Sequence, residues 1–181
     1  VCWTAVYNFS LAFGGSVKIV VMPKGNAVQA VLYDKTKGMV FDIGSKGKLN
    51  SGMESFLELY GIKELKGAFI ESEQYYTITK YNEQMTIRPD RFYINGEPDN
   101  DSELPFMTGT QLDWNGVKIE ALEGGYKITT EGCVVTIEKG SVTINSRNLD
   151  TTDEEYPLMI DMKNSQIRRT DYGFAYGFGS W

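Results

Sequence analysis

Histidine is absent from all 181 residues. That single absence excludes Ser-His-Asp and Cys-His nucleophilic catalysis, every His-ligated zinc site and imidazole acid–base chemistry. Cysteine is nearly absent too: Cys2 and Cys133 cannot make a four-thiolate metal site. Cys133 lies within an alternating apolar run and reads as a small core hydrophobe rather than a nucleophile. Basic charge is in deficit, with 18 Lys and Arg against 24 Asp and Glu and a net charge of −6, which argues against a dedicated nucleic-acid-binding face. No run approaches the ~18 apolar residues that span a bilayer as a helix.

What is present suits an ordinary globular chain. Apolar residues make up 41% and charged residues 23%, so disorder is not expected. A chain of this length holds one domain with a full core. Residues 1–15 stand apart. Trp3, Tyr7, Phe9, Leu11 and Phe13 make them apolar and aromatic, either as an edge strand or as the foot of a membrane span, since Trp and Tyr favour the bilayer interface. Residues 16–181 are read as a single domain.

The nineteen glycines and the recurring short β-rich runs favour strands. Ser16–Met22, Ala27–Tyr33 and Met39–Ile43 form an opening meander, apolar on both faces as in a sheet covered on both sides. A helix begins at Ser51, where Ser51 and Glu54 fit a capping box. Met53, Phe56, Leu57 and Tyr60 give it one apolar stripe, and Gly61 supplies its stop. Lys66–Ile70 follows as a strand. Ser72–Gln84 is read as a helix whose propensity Thr77-Ile78-Thr79 lowers. Beyond Arg88 the pattern is β: Arg91–Ile94, a polar loop over Glu97–Glu103, then Leu112–Trp114 and Val117–Leu122 around Asn115-Gly116, a type I′ hairpin signal. Tyr126–Thr130, Cys133–Glu138 and Ser141–Asn145 make a further meander. Asn148–Glu155 reads as an acidic loop, and Pro157–Met162 and Ile167–Phe178 as closing strands.

Few residues carry chemistry. Asp42-Ile43-Gly44 ends a strand, where a carboxylate suits a metal or nucleotide but is also common turn chemistry. Lys35, Lys37, Lys46 and Lys48 form the one dense basic group, a weak anion contact at most, since the Walker A spacing is missing. Acidic residues in Asp99-Asn100-Asp101 and Asp150–Glu155 lack the ligand order of a calcium loop.

In sequence order these elements resemble the first half of the metallo-β-lactamase fold, in the version found in the ComEC family of DNA-internalisation competence proteins. The family's strand ending I-D-x-G is matched by Phe41-Asp42-Ile43-Gly44, and its D-V-G-Q-G-D-A keeps only Gly25 and Ala27. Leu57 through Leu65 is similar to the family's helix end, and Leu112–Ile119 to its "l.wngv.i". The family's metal motif, T-H-x-H-x-D-H, falls on Glu71–Thr77. Its histidines land on Ser72, Gln74 and Thr77 and its aspartate on Tyr76, none of them a good zinc ligand. The metal-bridging aspartate has no counterpart at Asn145-Ser146-Arg147.

The resemblance therefore implies a β-rich α/β (α+β) domain: a metallo-β-lactamase-like sandwich of two facing meanders with reduced outer helices. Asp42, Ser72, Gln74, Tyr76 and Thr77 would mark a vestigial site, with no cofactor, no metal and no catalysis. The chain would be the soluble, extracytoplasmic domain of a competence membrane protein. Its partner would be the membrane-embedded remainder of the same polypeptide, with DNA contacted weakly or indirectly. Two rivals remain: an unrelated secreted or cell-surface β-rich binding module, and a hydrolase using carboxylates such as Asp42 and Glu71.

Overall fold

Apolar residues, Val foremost, recur through residues 18–43, and three strands form there with two-residue turns between them. The computed structural model describes residues 17–45, 52–71, 78–79, 83, 85–97, 103–152 and 157–169. Strands β1 (Lys18–Lys24), β2 (Ala27–Asp34) and β3 (Lys37–Ile43) are an antiparallel meander in the expected places. Helix α1 (Gly52–Leu59) then crosses over to β4 (Glu64–Glu71), which pairs parallel to β3 with Asp42 opposite Ile70.

The end of α1 follows from Gly61. It takes a left-handed φ of 67°, and its N–H reaches Glu58 O at 3.1 Å while Ile62 N–H reaches Leu57 O at 2.9 Å. This paired bonding satisfies the last carbonyls and tucks Ile62 beside Leu57, both buried. Ser51, the expected cap, lies outside the described residues.

Parallel pairing continues through β5 (Phe92–Asn95) and β6 (Glu103–Pro105). The chain then builds a second sheet as a six-stranded meander: β7 (Gln111–Trp114), β8 (Val117–Leu122), β9 (Gly125–Thr129), β10 (Val134–Glu138), β11 (Ser141–Ile144) and β12 (Arg147–Asp150). Asn115 and Gly116, at φ 51° and 77°, make the tight β7–β8 turn that the Asn-Gly pair predicts. Finally β13 (Leu158–Asp161) and β14 (Gln166–Arg169) return to the first sheet, whose order becomes β14-β13-β1-β2-β3-β4-β5-β6.

Two apolar layers result. Ile19, Ala30, Leu32, Phe41 and Phe69 face Ile119, Tyr126, Ile128, Val135 and Ile137 of the second sheet. On the other side Val20, Val31, Val40, Ala68 and Ile70 pack under Met53, Phe56 and Leu57 of α1. Both faces of β1–β4 are thus covered, as their unbroken apolar runs imply.

Three expectations need correction. The first sheet is not a meander throughout, because β3–β6 run parallel; each return crosses over the sheet instead of turning back in a hairpin. The polar loop over Glu97–Glu103 gives its last residue to β6, whose Pro105 is tolerated because β6 is an edge strand. The acidic loop over Asn148–Glu155 begins inside β12, an edge strand with Leu149 as its one apolar residue. Most of Ser72–Gln84 lies outside the described residues, although Ile78, Thr79 and Glu83 are helical. Residues 1–15 and the end of the last expected strand also lie outside them.

Candidate functional site

The parallel crossover brings Asp42 and Glu71 to the same end of the first sheet, at the C-terminal ends of β3 and β4. Side chains alternate along a strand, so each carboxylate's face can be read from its neighbours. Asp42 shares its face with Gln29 and Ile70, toward the helix; Glu71 shares the face of Phe69, toward the second sheet. The sheet itself lies between them. They do not converge on one reacting atom as a hydrolytic carboxylate pair must.

Each carboxylate also has a local task. Asp42, fully buried, accepts a 2.7 Å hydrogen bond from Gln29 Nε2 on the adjacent strand. Glu71 Oε2 accepts the Gly44 N–H at 3.1 Å, bracing the turn where Gly44 takes a φ of 72°. The glycine of the Asp-x-Gly phrase is therefore required by its left-handed backbone.

Sequence reasoning missed Tyr126. It reads as one more strand aromatic, yet the facing sheet places it fully buried against Phe41 and Phe69, with ring centroids 5.4 and 5.6 Å apart. Its hydroxyl makes no hydrogen bond among the described residues. Burial holds its pKa far above the usual phenol range, and the nearby charges of Glu71 and Asp42 push it further up. The phenol therefore stays neutral at every physiological pH. Because an unpaired buried hydroxyl costs stability, Tyr126→Phe should raise the free energy of unfolding by about 1 kcal/mol, read from urea midpoints at constant slope. A loss of similar size would show that the hydroxyl holds a bonded partner such as an internal water.

Of the other expected site residues, Ser72, Gln74, Tyr76, Thr77, Lys46 and Lys48 lie outside the described residues. Lys35 and Lys37 sit at the β2–β3 turn, a full strand away from Asp42 and from Ser45, which precedes Lys46. Seven residues at roughly 3.3 Å each separate those ends by about 20 Å. Lys37 stands 3.8 Å from Glu64, and Lys66 binds Glu64 at 2.7 Å and Asp90 at 2.9 Å. The hydrogen bond from Lys66 lowers the Glu64 pKa, and those to Glu64 and Asp90 raise that of Lys66. All these groups are solvated, so the network is a weak support for the fold.

No group of three or more acidic, Cys or His side chains among the described residues is placed to hold a metal ion. No described helix is long and apolar enough to cross a membrane. No family model matches the chain, and no curated protein matches it significantly. The described residues define a β-rich α/β protein: two facing sheets with one short helix against the first.

Proposed function

We propose that the chain is a non-catalytic domain of a ComEC-like DNA-uptake membrane protein, built on a metallo-β-lactamase-like scaffold and carried on the extracytoplasmic side. The observation that supports it most is the β3–α1–β4 crossover, with Asp42 opposite Ile70. The resemblance requires this of a strand ending Asp-x-Gly and of the strand that precedes the metal motif. The bonds from Gln29 and Gly44 support the non-catalytic part of the reading, because each gives one oxygen of its carboxylate a local structural use.

In a naturally transformable host, excising residues 17–169 should abolish DNA uptake, while Asp42→Asn, which keeps the shape beside Gln29, should leave uptake near its original level. The purified chain should cut no DNA with manganese or zinc, and should bind DNA no tighter than about 10⁻⁴ M at physiological salt. Unchanged uptake after the excision would defeat the proposal. So would a metal-dependent nuclease activity that Asp42→Asn removes.

A further inference from the structure

At the end of the sandwich opposite Asp42, the two sheets part to form an open groove of about 570 Å³. Small-molecule sites fall in the range of roughly 300–1,000 Å³. Its apolar lining comes from Met39, Leu112 and two half-buried aromatic side chains, Tyr93 and Trp114.

The aromatic walls are held in place. Tyr93 stacks on Phe69 with centroids 4.7 Å apart and planes 14° from parallel. Its ring lies over Gly67, where a β-carbon would come within 2.6 Å of it. Trp114 precedes the tight Asn115-Gly116 turn. Asn115 Nδ2 donates to Asp34 Oδ2 at 3.5 Å, tying the β7–β8 hairpin to the β2–β3 turn of the other sheet. The Tyr93 wall is thus set by packing within the folded chain.

The rim selects the ligand's chemistry. Of the four cations lining the groove, Lys37 and Lys66 are engaged by Glu64 and Asp90. Lys35 and Arg91 remain, and the carboxylates of Asp34 and Asp90 line the same rim. An anion would meet two carboxylates, a cation would meet an ammonium and a guanidinium, and a purely apolar ligand would strip water from all four. A neutral molecule with one apolar face and many hydroxyls meets none of these penalties.

We propose that the groove binds a neutral saccharide. A pyranose ring lays its C–H face against the Trp114 indole, and its hydroxyls donate to Asp34 and accept from Arg91 and Lys35. Nothing in this depends on the family resemblance, whose Asp42 landmark lies at the other end of the sheets.

The test is a titration of the ¹⁵N-labelled full chain with maltotriose, cellotriose and chitotriose, followed by amide and indole shifts. At least one sugar should give saturable shifts confined to β5, the β2–β3 turn and the β7–β8 hairpin, including the Trp114 indole N–H, with an affinity indifferent to added salt. Trp114→Ala should weaken binding about tenfold or more. Arg91→Ala, on an exposed position that leaves the core untouched, should weaken it comparably while the remaining spectrum stays in place. The proposal is overturned if none of the three sugars shifts the groove, or if both variants bind as the parent does. It is equally overturned if the groove responds only to a charged probe such as AMP or to an unmodified peptide.

Discussion

Phe69→Ala should lower the free energy of unfolding by about 3–5 kcal/mol, the range for deleting a fully buried phenyl ring. Phe69 has no exposed surface and stands at the centre of the aromatic cluster. Phe41 stacks on it at 4.8 Å with planes 6° apart, and Tyr93 at 4.7 Å on its other neighbouring strand. Phe106 and Tyr126 meet it edge-on at 5.0 and 5.6 Å. Four rings lose a partner at once, three on different strands and Phe106 just after β6, so the gap has no single side chain free to fill it. Urea unfolding at equilibrium measures the loss. Phe69→Leu, which keeps most of the volume, should cost far less. A loss from Phe69→Ala below about 1.5 kcal/mol would mean that the cluster collapses around the gap, contrary to this account.

Gly125→Ala should be nearly as damaging for the opposite reason, too much matter instead of too little. A β-carbon at Gly125 would sit 2.3 Å from Ile137 O and 2.9 Å from Glu138 Cγ. The nearer atom is backbone of the paired strand β10 and cannot swing aside as a side chain would. Overpacking of this kind costs typically 1–3 kcal/mol, and a backbone clash belongs at the upper end, about 3 kcal/mol. For a domain of this size that corresponds to a Tm lower by roughly 6–12 °C. The neighbouring Gly124 is a built-in control. It takes a φ of 78° with nothing near its missing β-carbon, so Gly124→Asn, which tolerates that backbone, should stay within about 1 kcal/mol of the parent. Equal melting temperatures for Gly125→Ala and the parent would refute the clash.

Much of the fold was legible where local chemistry and the final structure agree. Val and Ile runs marked β1–β3 and β8–β11, Asn115-Gly116 marked its hairpin, and Met53, Phe56, Leu57 and Gly61 marked α1 and its end. The parallel placement of β4 follows from a helix lying between two buried strands. The short edge strands β6 and β12 were not legible, because one or two apolar residues cannot show a period. Strand order was equally hidden: Ile19 pairs with Ile160, a contact with no local trace.

At the candidate site, the shared end of Asp42 and Glu71 was readable but their opposed faces were not. The β3–β4 register shifts between Gly38 and Met39, so counting residues along the chain does not transfer a face from one strand to the other. Tyr126 was hidden for a different reason, since only the docking of the second sheet brings it beside Glu71.

The position of β1 governs the order in which the molecule can be assembled. Its two edges are taken by β2, made at once, and by β13, with Ile19 opposite Ile160. At about 5–20 residues per second, the ribosome needs roughly 7–28 s to make the intervening chain. Throughout that interval Ile19, Val20 and Val21 present an unpaired, strongly apolar strand edge, the kind that recruits a second nascent chain. Covering the β1 edge is therefore a late event, open only to a chain synthesised through Asp161, and any transcript or protease cut that removes β13 leaves that edge permanently bare.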